Sequence, residues 1–560
     1  MVTDGSERTT RATDGTDSAA LKELTLVTLI YAALTVLMTL PLSLAPGSHV
    51  TADVPDTHLY IWTLAWDSYA FLHQPIGIFD ANIYFPFANT LAYSENLIGS
   101  AFFAAPIIWM TGDLVLATNL TALITCVLCG TGAYLLARRL NLSIAAAFIC
   151  GLVFAFAPPR FFRLGQLHMT AVQWIPFCLA FLHAYLDRGR RRDLLLAIGC
   201  FSLQALSSGH GAVYLALAVF GLLAWQFGSG TPVALRQRLR DFGGAGAYLL
   251  FPVVWVILPY RLAQDEAGLR REYLPGMQPG IESFLASPTI VHQFLQQALW
   301  GPFEKAPDTY LFPGIALLAL AVAGAIAGRA RRNTVFYVLV AALSTLMFVD
   351  WPFELWRYVY WMPGLNFIRV PSRFMILTVL ALGVLAAFAF DRFTARLRPS
   401  ARSAAGVVVA ALMLAEYVVY PFPAVPYRLE IPAVHRWLAS QPRPFVVAEL
   451  PVPSAGDLGA LERQQTASML HATAHWQKTI HGYSGIRRPY HHQLYADLHD
   501  FPDPTSLSSL RTAGVTHMVV HTAAYGISWR TIEEQIAKSG QLRLVYSDGD
   551  GRVYVWGTRN

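Results

Sequence analysis

Long apolar segments separated by short polar loops are the feature that most limits how this chain can fold. About 20 apolar residues are enough to cross a bilayer as a helix. Only 14% of the residues are charged, well below the roughly 25% of soluble proteins. The sequence predicts a mainly α-helical membrane protein with about eleven transmembrane helices. The apolar segments run over 23–45, 114–137, 143–158, 169–186, 193–208, 211–227, 244–260, 311–328, 334–350, 373–390 and 404–420.

The arginines of the short loops predict the orientation of these helices. If the segments alternate, sixteen arginines fall on one side, and the loop at 46–113 on the other side has no Lys or Arg. Basic loops stay in the cytoplasm. The N-terminus is therefore predicted inside and the acidic loop (residues 46–113) outside. The arginines are Arg138, Arg139, Arg188, Arg190, Arg191, Arg192, Arg236, Arg238, Arg240, Arg329, Arg331, Arg332, Arg392, Arg396, Arg398 and Arg402.

Two segments before the second span need separate interpretation. Residues 97–111 are apolar but short and contain Pro106. Counting them as a span would invert every later loop, so an interfacial or re-entrant helix is expected. Residues 1–21 are polar and are predicted to form a disordered cytoplasmic tail. The apolar run after them exceeds the core of a signal peptide and is expected to stay as an anchor of the transmembrane domain, 22–420.

The composition changes near residue 421, after a proline-rich stretch. The segments PFVVAEL and VTHMVVH are typical of strands, and SWRTIEEQIAKSG is typical of an amphipathic helix. LRLVYSDGDGRVYVWG predicts a hairpin through its Asp-Gly turn. Residues 421–560 are therefore predicted to form an extracytoplasmic α/β domain. None of the five cysteines lies there, so this domain has no disulfide.

Carboxylates of the acidic loop are candidates for general acid–base chemistry. Asp53 and Asp56 follow the first span, and Glu95 precedes the apolar segment 97–111. A partly buried carboxylate can accept a proton from a substrate. Asp56 is equally suited to cap a helix that begins near Pro55, and Glu95 to sit at a helix N-terminus or to ligate a metal. The residues alone leave these alternatives open.

Arginines on the outer side oppose the usual charge bias, so they are candidates for binding a lipid phosphate. Their alternative is snorkelling to the headgroups. Two histidines near outer helix ends are further site candidates, with a structural role as the alternative. The arginines are Arg160, Arg163, Arg369 and Arg373, and the histidines are His168 and His210. The sequence lacks a phosphate loop, dinucleotide fingerprint, zinc-protease helix or nucleophile elbow, and it predicts no nucleic-acid binding.

Several segments resemble the GT-C superfamily of membrane glycosyltransferases, and more closely a large bacterial branch of it. They are PDTHLYIWTLAW, NTLAYSENLIG, FRLGQLHMTAVQWIPF, FIRVPSRF, AELPVP and HGYSGIRRPY. The resemblance extends over nearly the whole chain beyond residue 22. It implies a polyprenyl-phosphate-linked sugar donor, a catalytic aspartate in the first outer loop and basic residues on the donor phosphate.

By position, the resemblance assigns the catalytic role to Asp56, with Asp53 as the alternative, and phosphate binding to Arg369 and Arg373. The chain lacks the adjacent Asp-Asp or Glu-Asp pair of many superfamily members. No cofactor or metal ligand is assigned, although a divalent metal is compatible with the superfamily.

The resemblance implies an inverting glycosyltransferase of the bacterial cytoplasmic membrane that serves an extracytoplasmic acceptor, namely a glycan, a lipid or a protein. The alternatives are a flippase or transporter of lipid-linked sugars and a non-catalytic protein of envelope assembly. A transporter would show internal repeats or charges at the membrane midplane, and neither is clear in this sequence.

Overall fold

The computed structural model describes residues 5–52, 54–227, 235–266, 273–303, 309–362, 364–486, 488–549 and 551–557. These residues form two compact units. The helical unit comprises Met1–Ala45, Leu120–Val254 and Arg271–Ala424. The α/β unit comprises Pro46–Asn119, Trp255–Arg270 and Val425–Asn560. Each unit is therefore assembled from distant stretches of the chain.

Every apolar segment predicted to span the membrane coincides with helical structure. A hydrocarbon-like environment leaves no water for the backbone, so an apolar run satisfies its own amides as a helix. Up to residue 420, and outside the acidic loop, the helices of more than five residues are Gly5–Met38, Leu114–Arg139, Ile144–Phe156, Trp174–Arg188, Arg191–Ser207, Gly209–Phe227, Leu235–Leu249, Phe251–Glu266, Ile290–Trp300, Ile315–Ala327, Arg332–Leu346, Met375–Thr394 and Pro399–Tyr417. Short helices lie at Pro158–Phe161, Leu167–Thr170, Ile281–Leu285 and Leu355–Val359.

Length and composition identify the helices able to cross a membrane. Among the described residues there are six, or seven if Arg236–Ala247 and Phe251–Glu266 form one broken span. Shorter apolar helices include Ile144–Phe156 and Ile315–Ala327. The chain is thus a multi-pass membrane protein, as predicted, and the count of eleven spans stays a prediction. The six are Ser18–Met38, Leu114–Arg139, Leu167–Arg188, Gly209–Gln226, Pro371–Thr394 and Pro399–Tyr417.

Helical structure begins before the first apolar run, and the disordered cytoplasmic tail over residues 1–21 stays a prediction. The first helix begins at Gly5 and continues without interruption to Met38. Once an apolar helix is nucleated, each further residue adds a hydrogen bond at little entropic cost. The polar residues before the apolar run include good helix formers, such as Glu7, Arg8 and Ala12, so the helix extends through them.

The helix Met375–Thr394 forms the centre of the helical unit, and most of its residues are buried. Its neighbour Ile315–Ala327 approaches it at Gly324. A Cβ atom at Gly324 would lie 2.0 Å from the carbonyl oxygen of Leu385, so only glycine permits this contact. This close packing fixes the helix whose preceding turn, Pro371–Phe374, carries Arg373.

The C-terminal part of the α/β unit is built on a five-stranded sheet. In spatial order, its strands are β4 (Lys478–Thr479), β3 (Val446–Leu450), β5 (His517–His521), β7 (Gly551–Trp556) and β6 (Leu542–Ser547). Strand β3 is parallel to both β4 and β5, and the other neighbouring pairs are antiparallel. The predicted hairpin, strands and amphipathic helix Trp529–Ser539 are confirmed. Two further strands, β1 (His49–Val50) and β2 (Val425–Pro426), form a separate antiparallel pair. The other helices of more than five residues here are Ala433–Leu438, Leu458–His471, Pro489–Leu498 and Pro504–Thr512.

The acidic loop belongs to the same unit as this sheet. It contains the helices Pro55–His73 and Ile98–Thr111. The amides of Tyr84 and Phe85 donate to the carbonyls of His481 and Thr479, each over 3.0 Å, and extend the hydrogen bonding beyond β4. At 14 residues and a rise of about 1.5 Å each, Ile98–Thr111 is shorter than the hydrocarbon thickness of roughly 30 Å.

Candidate active site

Asp56 lies in the first turn of the helix Pro55–His73, with Pro55 at the helix start. Val54 occupies the N-cap position, and no side chain caps this end. The Asp56 carboxylate instead accepts a hydrogen bond from the Tyr483 hydroxyl over 2.9 Å. The capping alternative for Asp56 is therefore wrong. A carboxylate held by one neutral donor keeps its second oxygen for another partner.

Tyr483 also lines a small, solvent-open pocket. Its other walls include Tyr84, Gln465 and His491. Burial lowers the pKa of His491 to about 3, so this wall is neutral at physiological pH. Gly482 is required beside the pocket, because a Cβ atom there would lie 2.5 Å from the Tyr84 ring. Aromatic and polar walls, with Glu462 as an acid among them, suit a sugar or another hydroxyl-bearing molecule.

The other two carboxylates predicted for the site have different outcomes. Asp53 lies outside the described residues. Glu95 is buried and interacts electrostatically with Tyr260. The Tyr260 hydroxyl also interacts electrostatically with Asp67. The sequence did not identify Asp67 as a site candidate. Asp67 is fully buried, neither of its oxygens has a hydrogen-bond partner among the described residues, and burial raises its pKa. No local motif distinguishes Asp67 from the other acids of the loop.

The helical unit contains a cationic cluster, defined here as Arg163, Arg373 and His210. Nη1 of Arg373 lies 2.8 Å from Nε2 of His210. Burial, and then repulsion from Arg373, lower the pKa of Arg163 to about 10, so the Arg163 guanidinium remains charged. The Arg163 guanidinium donates to neutral groups, the Gln166 amide oxygen and the Thr309 hydroxyl. Among the described residues, no carboxylate forms an ion pair with either arginine.

His168, another predicted site residue, lies beside this cluster. Its ring centroid is 5.5 Å from that of His210, and its carbonyl accepts from the Ser208 hydroxyl over 2.7 Å. The structure therefore brings His168 and His210 together with Arg373, although the two histidines lie 42 positions apart in the chain. Both histidines were selected as site candidates because they lie near outer helix ends.

Arg160 is not part of the cluster, and its assignment to the donor phosphate stays a prediction. It is buried, and its guanidinium donates to the carbonyls of Phe154 and Ala155 over 2.6 and 2.8 Å. It also contacts the Thr170 carbonyl and the Cys126 sulfur. Each of the three guanidinium nitrogens thus has a partner within the protein, and these contacts stabilise the chain turn around Arg160. Arg369 is exposed, and its phosphate role stays a prediction.

No family model matches the sequence, and neither does any curated protein. Among solved structures, the mycobacterial arabinofuranosyltransferase AftD is similar, with a TM-score of 0.56 and 17% identity over 95% of this chain and 42% of AftD. This chain thus spans less than half of AftD. ArnT from Cupriavidus metallidurans has a TM-score of 0.49 and 14% identity over 96% of this chain and 98% of ArnT.

The Archaeoglobus fulgidus oligosaccharyltransferase has a TM-score of 0.49 and 13% identity over 96% of this chain and 74% of that protein. The likeness to AftD agrees with the fold predicted above, a polytopic helical part with an α/β domain.

Proposed function

We propose that this chain is a membrane glycosyltransferase that moves a sugar from a polyprenyl-phosphate donor to an extracytoplasmic acceptor, with inversion at the anomeric carbon. The observation that carries the proposal is the cationic cluster, where two half-buried guanidiniums repel each other and no carboxylate pairs with either among the described residues. A phosphate would relieve that repulsion and accept their hydrogen bonds. The similar fold of a protein named as an arabinofuranosyltransferase agrees with a transferase.

Asp56 would act as the general base. Tyr483 holds one of its oxygens, and the other takes the proton from an acceptor hydroxyl. The acceptor oxygen then attacks the anomeric carbon on the face opposite the phosphate. The bond from that carbon to the phosphate oxygen breaks, and its electron pair leaves with the lipid phosphate. In the helical unit, Arg163 and Arg373 would bind the phosphate of the lipid donor and balance its negative charge.

The pocket beside Tyr483 would bind the acceptor, which gives the C-terminal domain a direct role in substrate selection. A metal does not enter this mechanism. Among the described residues, Asp56 belongs to no group of three or more side chains of the kinds that ligate metals, so the side chains around it do not fit a dedicated cation site.

The proposal is tested by turnover in proteoliposomes. Purified protein is given a panel of polyprenyl-phosphate sugars and acceptor glycans, and the release of lipid phosphate is measured together with the glycosylated product. We expect both products in equal amounts from the wild type and neither from Asp56→Asn. Movement of intact lipid-linked sugar across the bilayer, without cleavage of the sugar–phosphate bond, would identify a flippase and overturn the proposal.

We also propose that the α/β unit lies outside the cytoplasmic membrane and the arginine-rich loops inside. Single cysteines at Ile76, Arg190 and Ser454 test this orientation, because all three residues are exposed and the five native cysteines are buried. In intact cells, an impermeant thiol reagent should label positions 76 and 454, and position 190 only after permeabilisation. Labelling of 190 and 454 from the same side contradicts the orientation.

A further inference from the structure

Four side chains converge inside the C-terminal domain, and none of them is a residue proposed for catalysis. We call His435, Glu449, His471 and His521 the imidazole–carboxylate cluster. Their nearest ligand atoms all lie within 4.8 Å of one another. Nδ1 of His471 and Nε2 of His521 each lie 2.8 Å from Oε2 of Glu449, and Nε2 of His435 lies 3.5 Å from the same oxygen.

Hydrogen bonding alone does not account for this arrangement. His435 is fully buried, yet its Nε2 atom has no hydrogen-bond partner among the described residues. Its distances of 3.5 Å to Glu449 and 3.5 Å from Nδ1 to His475 exceed the 2.7–3.2 Å typical of such bonds. A buried nitrogen without a partner is destabilising. A cation between the three rings and the carboxylate would use that lone pair.

The fold holds the four residues on separate rigid elements. Glu449 is on the interior strand β3, and His521 ends the neighbouring parallel strand β5. His471 ends the helix Leu458–His471, and His435 is on the helix Ala433–Leu438. The carboxyl ends of adjacent parallel strands are a common place for ligand sites. The site would thus tie two strands to two helices.

A further shell of hydrogen bonds fixes Glu449. Its backbone amide donates to Nε2 of His481 over 2.6 Å, and Nδ1 of His481 lies 3.0 Å from the Gln465 side-chain oxygen. His481 is therefore protonated on Nδ1 and cannot itself be a ligand. Metal sites are supported by outer partners of this kind, which orient the ligands.

From this geometry we infer that the imidazole–carboxylate cluster binds one divalent transition metal ion, with zinc as the best match. Three imidazoles and one carboxylate form a four-donor set typical of tetrahedral Zn²⁺. Bonds of about 2.0–2.1 Å place such ligand atoms roughly 3.3 Å apart, within the spread seen here. Four protein ligands would complete a tetrahedral ion, as in structural zinc sites. The side chains of His435 and Glu449 are 0% and 3% exposed, and those of His471 and His521 are 16% and 24% exposed.

The test uses the full-length protein in detergent, purified with a tag that contains no histidine. The protein is stripped with a chelator, dialysed against micromolar ZnCl₂ and then buffer, and its metal content is measured by mass spectrometry. We expect about one zinc per wild-type chain. His435→Ala and Glu449→Gln should each lower the zinc affinity by more than the 10–100-fold typical of losing an outer partner. His499→Ala, an exposed histidine of the same domain, should retain wild-type affinity.

A second measurement covers variants that fail to fold. Cobalt substitution of the stripped wild type should give the visible absorption of tetrahedral Co²⁺, and zinc should raise the thermal unfolding midpoint. Wild-type protein that retains no zinc and shows no such absorption overturns the inference, as does equal retention by folded His435→Ala and Glu449→Gln. This result would be independent of the proposed transferase activity, because no step of the assay requires turnover.

Discussion

The cationic cluster of the helical unit and the Asp56–Tyr483 pair of the α/β unit are charged in opposite senses, but they share one property. In each, the charged group is contacted by neutral donors or acceptors, and no oppositely charged side chain pairs with it among the described residues. The cluster gathers two positive charges in one place, whereas the pair holds a single negative charge at a helix start. The first suits an anionic ligand and the second suits proton transfer.

Charged groups with a complete set of partners show the contrast. Arg160 donates to carbonyls on several sides. Glu416 accepts from His292 over 2.7 Å and from the amides of Ile315 and Ala316 at a helix start. Both are buried and both stabilise local structure. A charged side chain is therefore a candidate for function when its set of hydrogen-bond and ion-pair partners is incomplete. The presence of a charge alone does not distinguish it from a structural residue.

The largest expected effect is at Asp56. Asp56→Asn keeps the shape of the side chain and its contact with Tyr483 but removes proton acceptance. Turnover should fall by about 10²–10⁴, while donor affinity stays at the wild-type value, as measured by lipid-phosphate release and by donor titration. Asp113→Asn is the matched control, since Asp113 accepts from the Leu116 amide over 2.9 Å and Asn caps a helix equally well. Retained turnover in folded Asp56→Asn removes the base from this position.

The next effect is at the cationic cluster, and it should appear in binding. Arg163→Gln and Arg373→Gln each lose a charge-assisted contact of about 1.5–3 kcal/mol, which corresponds to roughly 10–150-fold in the donor Kd. Stability should not fall, because each change relieves like-charge repulsion. Donor titration and thermal unfolding measure the two quantities. Arg357→Gln, at an exposed arginine, is the control, and unchanged affinity in the double variant would show that the phosphate binds elsewhere.

A smaller effect is expected at Tyr483. Tyr483→Phe keeps the ring against the pocket and removes the hydroxyl that positions Asp56. The base remains, so kcat should fall only about tenfold, equivalent to about 1.4 kcal/mol. Steady-state kinetics at saturating donor measure this, and the donor Kd should not change. A loss as large as that of Asp56→Asn would mean that the phenol itself takes part in proton transfer.

The smallest effect is expected at Arg369. This residue was predicted to bind phosphate with Arg373, but it is exposed. An exposed ion pair contributes about 0–1 kcal/mol, so Arg369→Gln should change the donor Kd by no more than about fivefold. A loss that equals that of Arg373→Gln would place Arg369 in the phosphate site and extend the cluster.

Local sequence patterns predicted the elements of this protein well. The apolar runs became helices and the Asp-Gly turn became a hairpin, because lipid and turn geometry act on neighbouring residues. Arg160 and Arg163 are three positions apart in one motif, and no periodicity distinguishes the buried partner of carbonyls from the member of the cationic cluster. Their difference depends on tertiary packing.

The imidazole–carboxylate cluster was not predicted from the sequence, because it too depends on tertiary packing. Its ligands are spread from residue 435 to residue 521 without the short spacings of zinc motifs. Only the strand order brings Glu449 beside His521. The sequence indicates a metal site only through the number of histidines in a domain without cysteine. That number does not identify which histidines are the ligands.

The hydrogen bond between Asp56 and Tyr483 joins residues 427 positions apart. During synthesis, the helix that carries Asp56 is made long before the ribosome reaches the tyrosine, at a rate of about 5–20 residues per second. For about 20–85 s, the acidic loop therefore has no sheet to pair with. A chain released early would have its membrane helices in place and an unsupported carboxylate, so the geometry proposed for catalysis becomes available only when translation is nearly complete.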